Sequence, residues 1–315
     1  MDATSSNYLF QDLVDIYAGR SAGVGPSFAQ YLEERLMEKP RTSFEYWRTL
    51  LAGSKPISLR SILRSLDEVS VKDMATRTVA RVAILPTGNG LKATMSTVVH
   101  SAWSLVLGVL ANSSDVTFLY LNHGRDDKFE GSDAVIGCCV NEVPCRVLLD
   151  DSMSSFKLME TPQVQIVQSM AHAHLGANTI ANKCTDWPQK ETMYDHSSLV
   201  VHQNVPIEHS WAMDNDGYMN LQEVDFEEQW TYDFDLSTSS TSANELFVEL
   251  KCLQSLYTSH ELEAVMKGFL ITVRMLKEGL QTVADIRAKE RSVKYLPIVV
   301  VSAGSGSMRV EQNRL

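Results

Sequence analysis

Apolar residues recur at helical spacing in three stretches of the first fifty residues. Leu9, Leu13, Ile16 and Tyr17 follow Ser5 and Ser6, either of which can cap a helix, and Gly19 stands where that helix would stop. A second run extends from about Ser27 to Met37, ended by Pro40. In a third, TSFEYWRTLLAG, Thr42 and Glu45 have capping-box spacing and Gly53 closes the end. The polar stretch from Ser54 to Thr78 breaks the pattern and reads as a linker with a short helix inside.

Beyond it, β-branched runs alternate with helical ones. Val79 to Leu85 reads as a strand, Thr94 to Leu110 as a long apolar helix, and Val116 to Leu121 as a buried strand leading into the loop NHGRDDKFEGSD. A strand is expected around Val140 to Leu148, then a helix from Ser154 to about His174 that Pro162 would kink or break. Ser198 to Gln203 and Leu246 to Cys252 read as strands, and Ser259 to Leu276 as a closing helix capped by Ser259. This alternation predicts an α/β fold, an α+β layered sandwich. Its parts are helices over 1–53, a linker over 54–78, a main lobe over 79–289 and a flexible Gly/Ser-rich tail over 290–315.

Composition narrows the partners. A chain of 315 residues with 44% hydrophobic and 21% charged residues can bury a large core, and a formal net charge of -11 argues against nucleic acid and anionic membranes, which reward clustered Lys and Arg. No apolar run reaches the length of a bilayer span and the first residues lack a signal-peptide pattern, so the expected compartment is the cytosol. The five cysteines, Cys138, Cys139, Cys145, Cys184 and Cys252, form no CxxC pair and fit reduced thiols.

Several segments, in order, resemble the condensation domains of nonribosomal peptide synthetases, which have a chloramphenicol-acetyltransferase-like fold. Asp2, Ala3, Ser5, Leu9, Asp12, Leu13 and Tyr17 resemble the residues after the histidines of the family's HHxxxDG motif. Phe28 with Tyr31, Tyr46-Trp47 before LLAGS, the helix AWSLVLG and Gly124-Arg125 are similar to later signatures. IGCCVNEVPCRV, from Ile136 to Val147, resembles the motif IGxFVNTxPxR and is the most specific match. His172 and His174 before a wide loop, Trp187-Pro188, SSLVVHQN and ELFVELKC resemble the closing elements, and the HGR loop points to a fungal-type member. Two departures stand out: the sequence starts inside the catalytic motif, after its histidines, and Cys138-Cys139 with Glu142 replaces the usual residues of the IGxFVNT motif.

The resemblance implies a tunnel between two lobes in which carrier-bound substrates are joined. It also implies a structural pair of Asp2 with Arg125, and a structural use of Asn141 and Arg146. The catalytic candidates are then His202, on a strand that the family uses to line the tunnel, together with Asn141 and Arg125, while Ser198, Gln203, His172 and His174 are pocket candidates. No metal or other cofactor is implied: His172 and His174 would point apart on a helix, and no acidic residue or cysteine stands at ligand spacing. There is no GxSxG elbow and no phosphate-cradling glycine loop, Gly88-Asn89-Gly90 reading as a turn. The acidic run Glu223 to Asp235 reads as a solvated edge or as a loop over a cavity.

Three functions are then open. The first is a free-standing ring-forming enzyme acting on a polyketide- or peptide-derived intermediate by a pericyclic or other intramolecular closure. The second is half of an amide-forming condensation domain that needs an N-terminal lobe, and the third a non-catalytic module that binds a carrier protein or synthetase. The expected partners are a small-molecule or carrier-bound intermediate and either that missing lobe or a second copy of the chain.

Overall fold

The computed structural model describes residues 2–23, 25–37, 41–55, 57, 75–83, 93–125, 129–187, 198–204, 210–213, 217–220, 232–240, 245–253, 257, 259–279 and 281–292. Three helices come first: α1 (Ala3–Tyr17), α2 (Phe28–Met37) and α3 (Arg41–Leu51). Then come strand β1 (Ala75–Ala83), helix α4 (Met95–Leu110), strand β2 (Asp115–Asn122) and strand β3 (Asn141–Leu148). Helix α5 (Ser155–Ser169) runs through a 3-10 segment, Met170–Leu175, into α6 (Gly176–Cys184). The rest comprises β4 (Ser198–Gln203), the small hairpin of β5 (Ser210–Ala212) and β6 (Tyr218–Asn220), β7 (Phe234–Ser240), β8 (Glu245–Leu253), α7 (Ser259–Glu278) and α8 (Val283–Arg291).

Six strands form one mixed sheet in the order β1-β8-β7-β4-β2-β3, in which β4 runs parallel to both neighbours and the other pairings are antiparallel. Its register sets whole rows of side chains on one face. Val143, Tyr120, Val200, Leu236, Leu250 and Thr78 are successive cross-strand partners, and all are buried. Helices α4 and α7 cover this face. The Thr94 hydroxyl caps α4 by accepting from the Thr97 N–H, and the helix is buried continuously from Thr97 to Gly108, which explains why its apolar residues run all round rather than along one stripe. Trp103, Phe118, Phe234 and Phe269 fill the interior, each burial contributing roughly 2–3 kcal/mol before packing terms. On the edge strand β3, the Gln165 side chain acts as a surrogate neighbour, accepting from the Arg146 N–H at 2.7 Å and donating to its carbonyl at 2.9 Å.

Several expectations need correction. Asp2, not Ser5 or Ser6, caps α1, which starts earlier than the capping serines implied. The apolar residues of α1 do not face the core: Leu9, Leu13, Ile16 and Tyr17 are exposed, and the buried side is Ser5 and Val14. Thr42 lies within α3 and Glu45 instead receives the Arg41 guanidinium, while Gly53 does take the left-handed conformation of a helix stop, φ 71°. Strand β1 starts at Ala75, inside the stretch read as linker. Pro162 neither ends nor breaks α5: the helix continues through it with the ring buried, although an interior proline removes one backbone hydrogen bond.

The loop expected after His174 is helix α6. Strand β7, which the apolar pattern did not predict, takes up the end of the acidic run, with Asp233 buried just before it and Asp235 buried within it; residues 223–231 lie outside the described residues. The closing helix is followed by another, α8, held by a capping box between Thr282 and Asp285, so the helical structure continues into the stretch read as tail. The short helix expected within the linker, the Gly88-Asn89-Gly90 turn and the tail after Ser292 lie outside the described residues. All five cysteines are free thiols.

Candidate functional site

A knot of hydrogen bonds holds the first residues of α1 against the loop between β2 and β3. One terminal nitrogen of Arg125 donates to both carboxylate oxygens of Asp2, at 2.8 and 2.9 Å, and the pair is about 95% buried. The same guanidinium donates to the carbonyls of Ser132, Asp133 and Val135 and to the Ser5 hydroxyl. The Asp2 carboxylate also accepts from the N–H groups of Ser5, at 2.9 Å, and Cys139, at 3.0 Å. Burial by itself would raise its pKa, but these hydrogen bonds outweigh it and hold the carboxyl below its ordinary value. Ser5 adds a two-way contact with Gly137, donating to its carbonyl and accepting from its N–H. So the serine read as a cap is instead a link in the knot.

The Gly-Arg loop must be a glycine for a steric reason. Gly124 has φ 67°, and a Cβ there would stand 1.8 Å from the Cys139 carbonyl oxygen. Its own carbonyl accepts from the Tyr31 hydroxyl and from Arg35, which brings α2 onto the same loop. The two regions that resemble family motifs, Asp2 onward and Ile136 to Val147, therefore meet through specific bonds.

Asn141 and Arg146 serve the frame. Asn141 donates to the Ala173 carbonyl at 2.7 Å and accepts from the Glu142 N–H, holding the start of β3 against the 3-10 segment. Arg146 forms a forked pair with Asp115, at 2.9 and 2.7 Å, and donates to the carbonyls of Leu50 and Ala52, closing the C-terminal end of α3. His172 does similar work. Its Nδ1 bonds the Ser43 hydroxyl at 2.9 Å, its ring stacks on Tyr46, and its carbonyl accepts from the Trp47 indole. His174 is half-buried on the same 3-10 segment, which is not the α-helix expected of this pair.

The candidates on β4 divide by face. Ser198 and His202 point to the helix-covered side, Gln203 to the other. The Ser198 hydroxyl is buried and accepts from the Trp103 indole at 2.7 Å, so it belongs to the core rather than to an open pocket wall. His202 Nδ1 is hydrogen-bonded to the Thr238 hydroxyl at 2.8 Å, and that hydroxyl also lies 3.2 Å from the Val201 carbonyl. Across from it on α4 stands His100, which sequence reasoning missed. Its Nδ1 lies 2.7 Å from the Ser96 carbonyl, which can only accept, and its ring meets Tyr120 edge-on. Both Nε2 atoms are buried with no hydrogen-bond partner among the described residues.

Burial pushes both imidazoles down to about 4. The neighbouring His202 lowers His100 further, while the Ser96 carbonyl beside His100 and the Asn204 side chain near His202 oppose the shifts. An imidazole of that basicity is neutral at pH 7 and holds an abstracted proton weakly, a poor match to general-base work. The one sequence signal for His100 was its place as the sole titratable residue of an apolar helix.

Other surroundings are less active. Among the described residues no cluster of three or more His, Cys, Asp or Glu side chains could hold a metal, and no helix is long and apolar enough to cross a membrane. An open groove of about 520 Å³ on α5, lined by residues including Ala93, Phe156, Met159 and Val167, contains none of the candidates.

Comparison with known proteins identifies the family. The chain is 32% identical over 190 residues to nonribosomal peptide synthetase 4 of Gibberella zeae, and 31% identical over 252 residues to nonribosomal peptide synthetase easA of Emericella nidulans. These alignments cover 60% and 79% of this chain but only 2% and 3% of the relatives. Among solved structures, one described as the crystal structure of CT superimposes with a TM-score of 0.74 at 21% identity, over 90% of this chain and 62% of that one. The starter condensation domain of rhizomide synthetase gives 0.69 at 17% identity, over 89% and 65%. The chain thus spans a small fraction of the synthetases and somewhat under two thirds of these two solved chains. The condensation-domain profile matches residues 1–293, and with its motif aspartate seated on the Gly-Arg loop, this chain belongs to the condensation-domain family of nonribosomal peptide synthesis.

Proposed function

We propose that the chain supplies the C-terminal lobe of a condensation site that joins an amine to a carrier-bound acyl thioester in the cytosol. The amine nitrogen attacks the thioester carbonyl, a C–N bond forms as the C–S bond breaks, and the proton released by nitrogen ends on the departing thiol. The observation that carries this reading is the buried Asp2–Arg125 knot. It holds the end of the catalytic motif in a defined place, while the two histidines on the helix-covered face of the sheet, His100 and His202, are too weakly basic for the proton transfer. That role falls to the histidine of an HHxxx segment ahead of Asp2, carried by a longer form of this chain or by a separate lobe. The exposed stripe of Leu9, Ile16 and Tyr17 on α1 supports such a lobe, since an apolar helix face is costly to leave in water.

The test is reconstitution. Purified chain, alone and with an N-terminal condensation lobe bearing HHxxx, is given acyl and aminoacyl N-acetylcysteamine thioesters, and amide product is followed by mass spectrometry. Product only with both lobes, lost in Arg125→Ala, is the expected result. Ring closure of a linear intermediate by the chain alone would put the ring-forming reading in its place. Carrier-protein binding without turnover in the two-lobe sample would leave the non-catalytic one, and a stable dimer of the chain on sizing would make a second copy the occupant of the α1 stripe.

A further inference from the structure

The last helix is fastened in an unusual way. Helix α8 packs on α4 and α7, and near its end Glu290 lies against Gly268 of α7. A Cβ at position 268 would stand 3.3 Å from both Cγ and Oε1 of Glu290, so the glycine leaves a notch that the carboxyl side chain occupies. Oε2 of Glu290 is buried with no hydrogen-bond partner among the described residues, and so is the hydroxyl of Thr272, one turn further along the same face of α7. The charged groups acting on Glu290 are Arg287 and Arg291 of its own helix, and Arg287 is already held by Asp151 at 2.8 Å. From α7 the neighbouring face is Gly268 and Thr272, both uncharged. The only titratable residue of α4 is His100, which faces Phe118 and Tyr120 of the sheet.

We propose that α8 docks on α7 through a proton held by Glu290, and that its C-terminal turns undock when this proton passes to solvent. A carboxylate sunk in an uncharged notch lacks the donors that would repay its lost hydration, whereas the protonated acid is a neutral side chain that fits there. Burial raises the group to about 7 against the pull of the two arginines. An acid raised in this way stabilises the docked helix fully below its ordinary value of 4.5, and that stabilisation is lost as pH rises through about 7. Since α8 ends just before residue 293, where the family match ends, the proton-sensitive part of this domain is its C-terminal boundary rather than the Asp2–Arg125 knot.

The test is amide hydrogen exchange of the full chain, corrected for intrinsic rates, at about pH 6 and about pH 8.5. For peptides covering Val283 to Arg291, protection should fall on the order of ten-fold across that interval while α4 shows no such fall. Glu290→Gln keeps the neutral shape, and its protection should not depend on pH. Gly268→Ala fills the notch and should lower protection of the same peptides already at the lower pH; it carries the test if Glu290→Gln does not fold. Equal pH dependence in Glu290→Gln and the parent would overturn the proposal. So would a flat profile in the parent, or full protection in Gly268→Ala.

Discussion

Two buried polar sites of this domain solve the same problem in opposite ways. At Asp2 and Arg125 a full ion pair is kept inside, because every available donor and acceptor around it points inward: two backbone N–H groups, three carbonyls and a serine hydroxyl. At His100 and His202 the surroundings supply one partner to each Nδ1 and none to either Nε2 among the described residues, and the rings stay neutral. Depth of burial alone is not what separates them. The number of groups that can solvate a charge is, since an interior ion without such groups gives up its charge instead.

The strongest way to break the comparison is to remove the guanidinium. Arg125→Ala leaves Asp2 buried without its counter-charge, and urea unfolding should show a loss of about 3–5 kcal/mol. Replacing both partners, Asp2→Asn with Arg125→Met, should lose clearly less; a single substitution costing under about 1 kcal/mol would mean that the charge is not truly solvated by the protein. The histidine site should show itself in acid. Because each imidazole is lowered from 6.5 to about 4, unfolded chains take up protons first, and stability should fall as pH drops through that window, by about 3 kcal/mol for His100. In His100→Leu this part of the slope should disappear, as read from urea midpoints at several pH values.

A finer probe is the hydroxyl pair between Tyr120 and Ser169, which lies in the same core: Tyr120→Phe should cost about 1 kcal/mol in thermal or urea unfolding. The smallest effect belongs to an exposed pair. Glu45→Ala frees Arg41 on α3 and should change stability by no more than about 0.5 kcal/mol, which sets the scale for charge pairs that water can solvate.

Legibility in the sequence tracked the same physical divide. The helix Met95–Leu110 and the strands at 115–122, 141–148 and 198–203 were recognisable because long apolar or β-branched runs state their own burial. Strand β7 was not, because its sequence, FDLSTSS, carries only every second residue on the core face and comes after an acidic stretch. Helix α6, with Asn, Thr and Lys among its nine residues, has weak propensity and is held by packing on α3 and β3. The pairing of Asp2 with Arg125 came from the motif resemblance and not from any local pattern. His202 was read as a tunnel residue because the resemblance places its strand along the tunnel, whereas which side of that strand faces the helices has no signal in the sequence.

By itself, then, the sequence determined the family, the layered α/β character and most of the strand and helix segments, because periodicity and motif order are properties of the chain. Only the tertiary structure decided which residue caps α1 and which serine bridges, which side of α1 is covered, and that two histidines far apart in the sequence come near enough to act on each other with their charges suppressed. These depend on desolvation and on the sum of partners supplied by distant segments, and neither quantity has a local signature in one dimension.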